Sequence, residues 1–205
     1  MTKTQKIIIG ATSLAMFGFA ALPMASYADS VAETDVEVII ASECEIGSTG
    51  GTIDPANKLG FELSLTTPND VATNAVGEGI GIVCNGDWIL TEEVDNLTLK
   101  LRDNGTYSLA PTVGFTSTGV ASASVDYADG ADNSWAMRYT GTGTGLTALA
   151  SGVTNWHSLS TTPSMLAEGA QTSDTVITQF FGAKTDGSVD EGSHGGTVTY
   201  TLTQQ

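Results

Sequence analysis

The chain has two cysteines, Cys44 and Cys84, and each stands at the end of a run in which apolar residues alternate with others. In the first run, TDVEVIIASEC, Val36, Val38 and Ile40 share their parity with Cys44, and the two isoleucines of EGIGIVC share theirs with Cys84. Because side chains alternate across a strand, both sulfur atoms should point to an apolar face. We therefore predict one buried disulfide between neighbouring strands. It would stabilise the fold by about 4 kcal/mol in the chain-entropy model.

Residues 1–28 have the pattern of a secretory signal peptide. Lys3 and Lys6 give a positive start, an apolar stretch follows, Pro23 ends it, and small residues lead up to Ala28. The apolar stretch is short for a transmembrane helix, which is the competing interpretation. Export to an oxidising compartment also favours the disulfide over two reduced, buried cysteines of the cytosolic kind.

Cleavage after residue 28 would leave residues 29–205, a length that suits a single domain. This mature chain keeps five basic residues against 23 acidic ones, a formal net charge of −18. Such a surface repels nucleic acid and anionic membranes. We therefore predict no nucleic-acid partner, no membrane insertion after cleavage, and a secreted or cell-surface location.

Strand-like alternation recurs along the mature chain, and long helical periodicity does not. The clearest strand is GTVTYTLT (196–203), with Val198, Tyr200 and Leu202 on one side and threonines on the other. Asp103-Asn104-Gly105 is typical of a tight hairpin turn. Further predicted strands are 34–41, 59–65, 78–84, 85–90, 97–102, 134–139 and 174–184. This pattern predicts an all-β fold, an immunoglobulin-like or pilin-like antiparallel β-sandwich with one disulfide.

The segment 141–173 is rich in glycine, threonine and serine and shows the least regular pattern. Within it, 162–169 could form one turn of helix with Pro163 at the first helical position. This segment and the threonine side of 196–203 are candidate contact surfaces, with plain solvent exposure as the alternative.

Few residues suggest catalysis. The two histidines, His157 and His194, lie in loop-like sequence, and no G-x-S-x-G motif or glycine-rich phosphate loop is present. The cysteines are too far apart for a zinc site and lack histidines at ligand spacing. We therefore predict a non-catalytic protein without a cofactor.

Two residue groups are weak candidates for ligand binding. Asp126, Asp129 and Asp132 fall in DYADGADN, where oxygen ligands could hold calcium, although a solvated turn explains them better. Trp88 and Trp156 could stack on a sugar ring. Core packing is the default for Trp88, whereas Trp156, in a loop beside a histidine, is the best candidate for an exposed aromatic.

Three resemblances add to this interpretation. The early cysteine, the second at the end of EGIGIVC, and the tyrosine in a threonine-rich final strand resemble chaperone–usher pilin subunits and spore-coat-U-like proteins. The later segments DNSWAMRY, NWHSL, VITQFFGAKTDG and GGTVTYTLT are similar to exported surface proteins of ultrasmall, candidate-phylum bacteria. The run from Asp87 to Leu90 resembles the first W-x-L of WxL cell-wall-binding domains; in the second position this chain has Tyr200-Thr201-Leu202.

These resemblances imply a structural or adhesive protein of the cell surface. Its partners would be other surface subunits, or, in the WxL alternative, cell-wall or host glycans. The pilin resemblance also implies that residues 34–41 could act as a donor strand for a neighbouring subunit, with a strand of the chain's own sheet as the alternative.

Overall fold

The computed structural model describes residues 43–48, 65, 69–74 and 77–205, and these contain thirteen β-strands and no helix. The all-β prediction is therefore confirmed. Residues 40–205 form one compact unit. The strands are β1 (Cys44–Ser48), β2 (Val71–Thr73), β3 (Glu78–Cys84), β4 (Trp88–Val94), β5 (Lys100–Asp103), β6 (Thr106–Leu109), β7 (Thr116–Ser117), β8 (Ser134–Thr142), β9 (Leu146–Leu149), β10 (Ser164–Gly169), β11 (Thr172–Lys184), β12 (His194–Gly195) and β13 (Val198–Gln204).

Several predictions concern residues outside this part of the chain: the signal peptide, the strand 34–41 and nearly all of the strand 59–65. They stay predictions. Within the described ranges there is no apolar helix long enough to cross a lipid bilayer.

The larger sheet has six strands in the order β1-β3-β11-β8-β7, with β2 paired to the end of β11. Its central strand, β11, is 13 residues long and pairs with β8 along one edge and with β3 and β2 along the other. The sequence of β11 is rich in β-branched and aromatic residues, which pack well in a strand with neighbours on both sides. All pairs are antiparallel except β7 with β8.

The disulfide joins the first two strands of this sheet. Cys44 and Cys84 lie directly opposite each other in the β1–β3 register and are bonded. Cys84 is buried and Cys44 packs against the same core, as the shared parity with their apolar neighbours predicts. The predicted disulfide is confirmed.

The smaller sheet has four strands in the order β13-β4-β10-β9. Every second side chain of β4 is buried: Trp88, Leu90, Glu92 and Val94. The sequence predicted a strand that stops at residue 90, before the acidic run, and this boundary is wrong. β4 continues because it is paired on both sides through this run, with β13 and with β10.

The last strand has the predicted sidedness. Val198, Tyr200 and Leu202 are half-buried against the core, and the threonines between them are exposed. The inward side chains of both sheets form one hydrophobic cluster. It includes Ile80, Ile82, Trp135, Met137 and Ile177 from the larger sheet and Trp88, Leu90 and Leu166 from the smaller one. The immunoglobulin-like or pilin-like type of this arrangement stays a prediction.

A third sheet has three strands, in the order β12-β5-β6. Asp103 pairs with Thr106, so that Asn104 and Gly105 form a two-residue loop. Both have positive φ, 48° and 86°, which is the backbone of a type I′ turn and suits asparagine and glycine. The predicted hairpin is confirmed.

The predicted helical turn at 162–169 is wrong, because the chain forms strand β10 there. Both edges of β10 find backbone partners, in β4 and in β9, whereas a single helical turn gains little by itself. A bulge near Leu166 buries two consecutive residues, Leu166 and Ala167, which obscures the alternation in the sequence. With β9 and β10 in it, the segment 141–173 is also more regular than predicted.

Candidate functional site

A chain of hydrogen-bonded side chains crosses the core between the two sheets. Nε2 of His157 lies 2.7 Å from Oε1 of Glu92, and the Tyr139 hydroxyl donates to Oε2 of the same carboxyl group at 2.6 Å. The hydroxyl oxygens of Tyr139 and Tyr200 are 2.8 Å apart, and the Tyr200 hydroxyl donates to Oε1 of Gln179 at 2.6 Å. We name these five residues the inter-sheet polar chain.

Strand register explains how the polar chain is assembled. Glu92 and Tyr200 are directly opposite each other in the β4–β13 pair, and Tyr139 and Gln179 are opposite each other in the β8–β11 pair. Each sheet thus contributes one cross-strand pair on its inward face, and the two pairs meet across the core. His157 is positioned by a backbone bridge to Met137, two residues before Tyr139 on the same strand.

Burial controls the electrostatics of the polar chain. Glu92 is only 2% exposed, and Tyr139 is fully buried. Burial raises the pKa of Tyr139 well above its ordinary value, and the nearby charges of Tyr200 and Glu92 raise it further. Burial also raises the pKa of Tyr200, against the lowering effect of its hydrogen bond with Tyr139. Both phenols therefore stay neutral at ordinary pH and serve as hydrogen-bonding groups.

The proton count constrains what the polar chain can do. Two phenol protons serve three contacts, to Glu92, between the tyrosines, and to Gln179. With Tyr139 donating to Glu92 and Tyr200 donating to Gln179, no phenol proton remains for the contact between the two hydroxyl oxygens. Nδ1 of His157 is buried and has no hydrogen-bond partner among the described residues, so no hydroxyl group stands where a Ser–His–acid arrangement would place one.

The other histidine is half-buried and lies outside the polar chain. His194 lies in β12, with its ring edge against Phe115 at 5.3 Å between centroids. Its Nε2 has no hydrogen-bond partner in the part of the chain that the structure describes. Burial lowers the pKa of His194, against smaller raising effects of the Gly192 backbone and Asp190.

The tryptophans occupy interior positions. Trp88 is buried in the main core and its Nε1 donates to the Ala170 carbonyl at 2.8 Å, so its default core role is confirmed. The expectation of an exposed Trp156 is wrong, because its side chain is 1% exposed. It packs with Tyr127 on the outer side of the larger sheet, and its Nε1 donates to the Ser124 carbonyl at 2.9 Å. Neither indole presents an open face on which a sugar ring could stack.

The aspartates considered for calcium are not gathered into a site. Among the described residues, no group of three or more acidic, histidine or cysteine side chains is placed to hold a metal ion. The ammonium group of Lys184 lies in this turn, 3.4 Å from Asp132 and 3.1 Å from the Gly130 carbonyl that accepts its hydrogen bond. A lysine cation thus contacts the oxygen atoms for which a metal would compete.

The hairpin of β5 and β6 presents the most exposed apolar strand. All four residues of β6 are exposed, Tyr107 at 42% and Leu109 at 49%. β6 is the last strand of its sheet, so one backbone edge has no neighbouring strand in the described part of the chain. Arg102 lies beside Tyr107, with 5.9 Å between Cζ and the ring centroid. We name Thr106–Leu109 and its open edge the hairpin edge.

Sequence reasoning missed most of the polar chain, although a signal was present. Glu92 shares its parity with Trp88, Leu90 and Val94, so an inward carboxylate could have been predicted once β4 was extended. Gln179 likewise has the parity of Ile177 in β11. The threonine side of 196–203 is exposed as predicted, and its role as a contact surface stays a prediction.

In comparisons with known proteins, no family model, curated protein or solved structure matches this chain.

Proposed function

We propose that this protein is an exported, non-catalytic structural or adhesive component of the cell surface that binds other protein subunits through the hairpin edge. The signal-peptide pattern of residues 1–28 and the Cys44–Cys84 disulfide support export. The polar chain supports a structural role, because its hydrogen bonds join the two sheets and no nucleophile contacts its histidine among the described residues.

The hairpin edge is the observation that carries the proposal. An open strand edge offers unpaired N–H and C=O groups to a strand of another chain. Proteins that avoid such contacts blunt their edges with charges, prolines or bulges. Here the edge strand itself, Thr-Tyr-Ser-Leu, has a bulge at Ser108 but no charge or proline, and it exposes an aromatic and an aliphatic side chain. These features favour association over solvation.

The charge of the adjacent strand also favours binding of another subunit at the hairpin edge. Lys100 and Arg102, in the adjacent strand β5, are two of the five basic residues that remain after signal cleavage. With Asp103 counted, residues 100–109 have a formal net charge of +1, so this hairpin is slightly basic on a strongly acidic protein. It would attract an acidic subunit, including a second copy of this chain, and the attraction should weaken as salt is added.

A matched pair of substitutions tests the surface. Leu109→Lys places a charge on the hairpin edge, and Val125→Lys places the same charge at another apolar residue, 48% exposed, in an irregular segment. We expect light scattering of the purified mature protein to show concentration-dependent association in the wild type and in Val125→Lys, and its loss in Leu109→Lys. Equal behaviour of both variants and the wild type would refute the proposed surface. Co-sedimentation with peptidoglycan in that case would favour the glycan-binding alternative.

Export is tested separately. Intact-mass analysis of the protein recovered from outside the cell should show cleavage between Ala28 and Asp29 and no thiol that reacts with an alkylating reagent. A full-length product with two free thiols would contradict export.

A further inference from the structure

Arg138 is a buried cation on the outer face of the larger sheet. Along β8, Trp135, Met137 and Tyr139 belong to the main core, whereas Ala136 belongs to the separate outer cluster with Tyr127 and Trp156. Arg138 has the parity of Ala136 and therefore lies on that outer side. Its side chain is only 5% exposed.

Aromatic rings flank the guanidinium group. Phe180, its direct cross-strand partner in β11, has its ring centroid 4.3 Å from Cζ of Arg138, and Trp156 lies at 5.7 Å. Cation–π contacts of this kind contribute about 0.5–2 kcal/mol. They do not satisfy the N–H donors, because those lie in the plane of the guanidinium group.

One of these donors, Nε of Arg138, is buried and has no acceptor in the described part of the chain. The ion pairs found there join His157 to Glu92 and Lys184 to Asp132. Burial lowers the pKa of Arg138, as expected for a cation removed from water without a counter-ion. Among the described residues no carboxylate forms an ion pair with Arg138, which is unusual for a buried arginine.

The surrounding polar atoms are already engaged. The Tyr127 hydroxyl donates to the Thr118 carbonyl at 2.6 Å, and Nε1 of Trp156 donates to Ser124. The polar atoms of both rings therefore have partners other than Arg138. The guanidinium group is the one member of this cluster with an orphan buried donor in the described residues.

We propose that Arg138 forms a binding site for a small organic carboxylate. The planar guanidinium fork matches the two oxygens of a carboxylate, and the aromatic flank suits the carbon atoms attached to it. A monoanion fits a site with a single positive charge better than phosphate, which is more strongly charged and hydrated. This site is independent of the hairpin edge and of the proposed assembly function.

The sequence contains two arginines, which makes a direct measurement simple. The Nε–Hε groups of Arg138 and Arg102 give two side-chain signals in a nitrogen–proton NMR spectrum of the labelled mature protein. Sodium acetate or benzoate, up to about 0.1 M against sodium chloride of equal ionic strength, covers dissociation constants in the millimolar range. We expect the chemical shift of the Arg138 signal to change and reach a plateau as acetate or benzoate is added. The Arg102 signal should change only as much as it does in sodium chloride of equal ionic strength. Equal responses of the two arginines, or no carboxylate-specific response at Arg138, would overturn the proposal.

Variants separate binding from a structural role. Arg138→Lys keeps the charge and loses the fork, and should weaken benzoate binding about tenfold, the loss of one hydrogen bond. Arg138→Met should abolish the rise in melting temperature that benzoate produces, while Thr140→Val, an exposed position two residues along β8, should retain it. An equal rise in the wild type and in Arg138→Met would refute the site. If Arg138→Met does not fold, the Arg138→Lys variant and the NMR titration of the wild type still test whether Arg138 binds the carboxylate.

Discussion

Tyr139 and Arg138 are neighbours in β8, and they face opposite sides of the larger sheet with different surroundings for buried polar groups. On the inner side, the Glu92 carboxyl group contacts His157 and Tyr139, and the chain continues to Tyr200 and Gln179. On the outer side, Arg138 contacts aromatic rings and has an orphan Nε among the described residues. Each side therefore has one buried nitrogen without a hydrogen-bond partner among the described residues, Nδ1 of His157 on the inner side and Nε of Arg138 on the outer side, but only the inner polar groups are hydrogen-bonded to one another.

This difference separates two uses of a buried charge. A charge whose partners belong to the same fold contributes to cohesion, and removing one partner leaves the others unsatisfied. A charge without such partners is costly to bury and gains them only when something else binds. The first should therefore be sensitive to mutation, and the second should be tolerant of mutation but sensitive to added ligand.

The largest expected effect comes from removing the carboxyl group of the polar chain. Glu92→Leu leaves His157 and Tyr139 without their acceptor, and we expect the free energy of unfolding to fall by about 3–5 kcal/mol. Urea denaturation of the mature protein measures the loss. Glu93→Leu, at the next residue of β4 and on its less buried side, is the matched control and should change stability far less. Similar losses in both variants would show that the polar chain has no special role.

Alkaline pH should weaken the same network. Folding keeps Tyr139 and Tyr200 neutral because their pKa values are raised, whereas unfolded tyrosine ionises near pH 10. The stability due to the phenols is therefore complete below about pH 10 and is lost above it, at roughly 1.4 kcal/mol per pH unit for each phenol. Urea midpoints measured on both sides of this pH test the slope, which should be shallower in a Tyr139→Phe/Tyr200→Phe double variant. Equal slopes would contradict the burial of the phenols.

Single removal of a hydroxyl group should have a smaller effect at neutral pH. Tyr200→Phe breaks the contacts with Tyr139 and Gln179 without a large cavity, and we expect a loss of about 1–2 kcal/mol. Tyr107→Phe, at an exposed residue of the hairpin edge, provides the control and should be nearly neutral. A neutral Tyr200→Phe would show that the phenols are not coupled across the core.

The smallest effect is expected on the outer side. Arg138→Met removes a cation that has no acid partner among the described residues and keeps an apolar stem of similar length. We expect stability without added ligand to change by less than about 1 kcal/mol, in either direction. Urea denaturation of Arg138→Met and Glu92→Leu under the same conditions compares the losses of unfolding free energy in the two variants. A loss as large as that of Glu92→Leu would mean that Arg138 belongs to the structural framework.

Periodicity predicted those parts of the fold that depend on alternation alone. It placed Cys44 and Cys84 on the core side, set the sidedness of Val198, Tyr200 and Leu202, and located the turn at Asn104. It failed at Leu166, where a bulge breaks the period. It also failed at the end of β4, where Glu92 faces inward because its two partners, His157 and Tyr139, come from other parts of the chain.

The candidate sites were harder to foresee for the same reason. Trp156 and His157 lie in irregular sequence, so nothing local shows that the first is covered and that the second reaches Glu92, 65 residues away. Arg138 has the correct parity for the outer side of β8, but outer sides are usually solvated. Its side chain is buried beside Phe180 and Trp156, and local sequence patterns do not encode the contact with Trp156.

The position of the disulfide has a mechanical consequence. Cys44 is the first residue of β1 and Cys84 is the last of β3, so tension applied to the chain ahead of Cys44 passes through the sulfur bridge directly to the end of β3. The segment between the two cysteines is outside the path of the force, and β1 cannot be peeled away from that end. Pulling experiments should therefore show a shorter extension on rupture under oxidising conditions than after reduction, by the contour length of this loop.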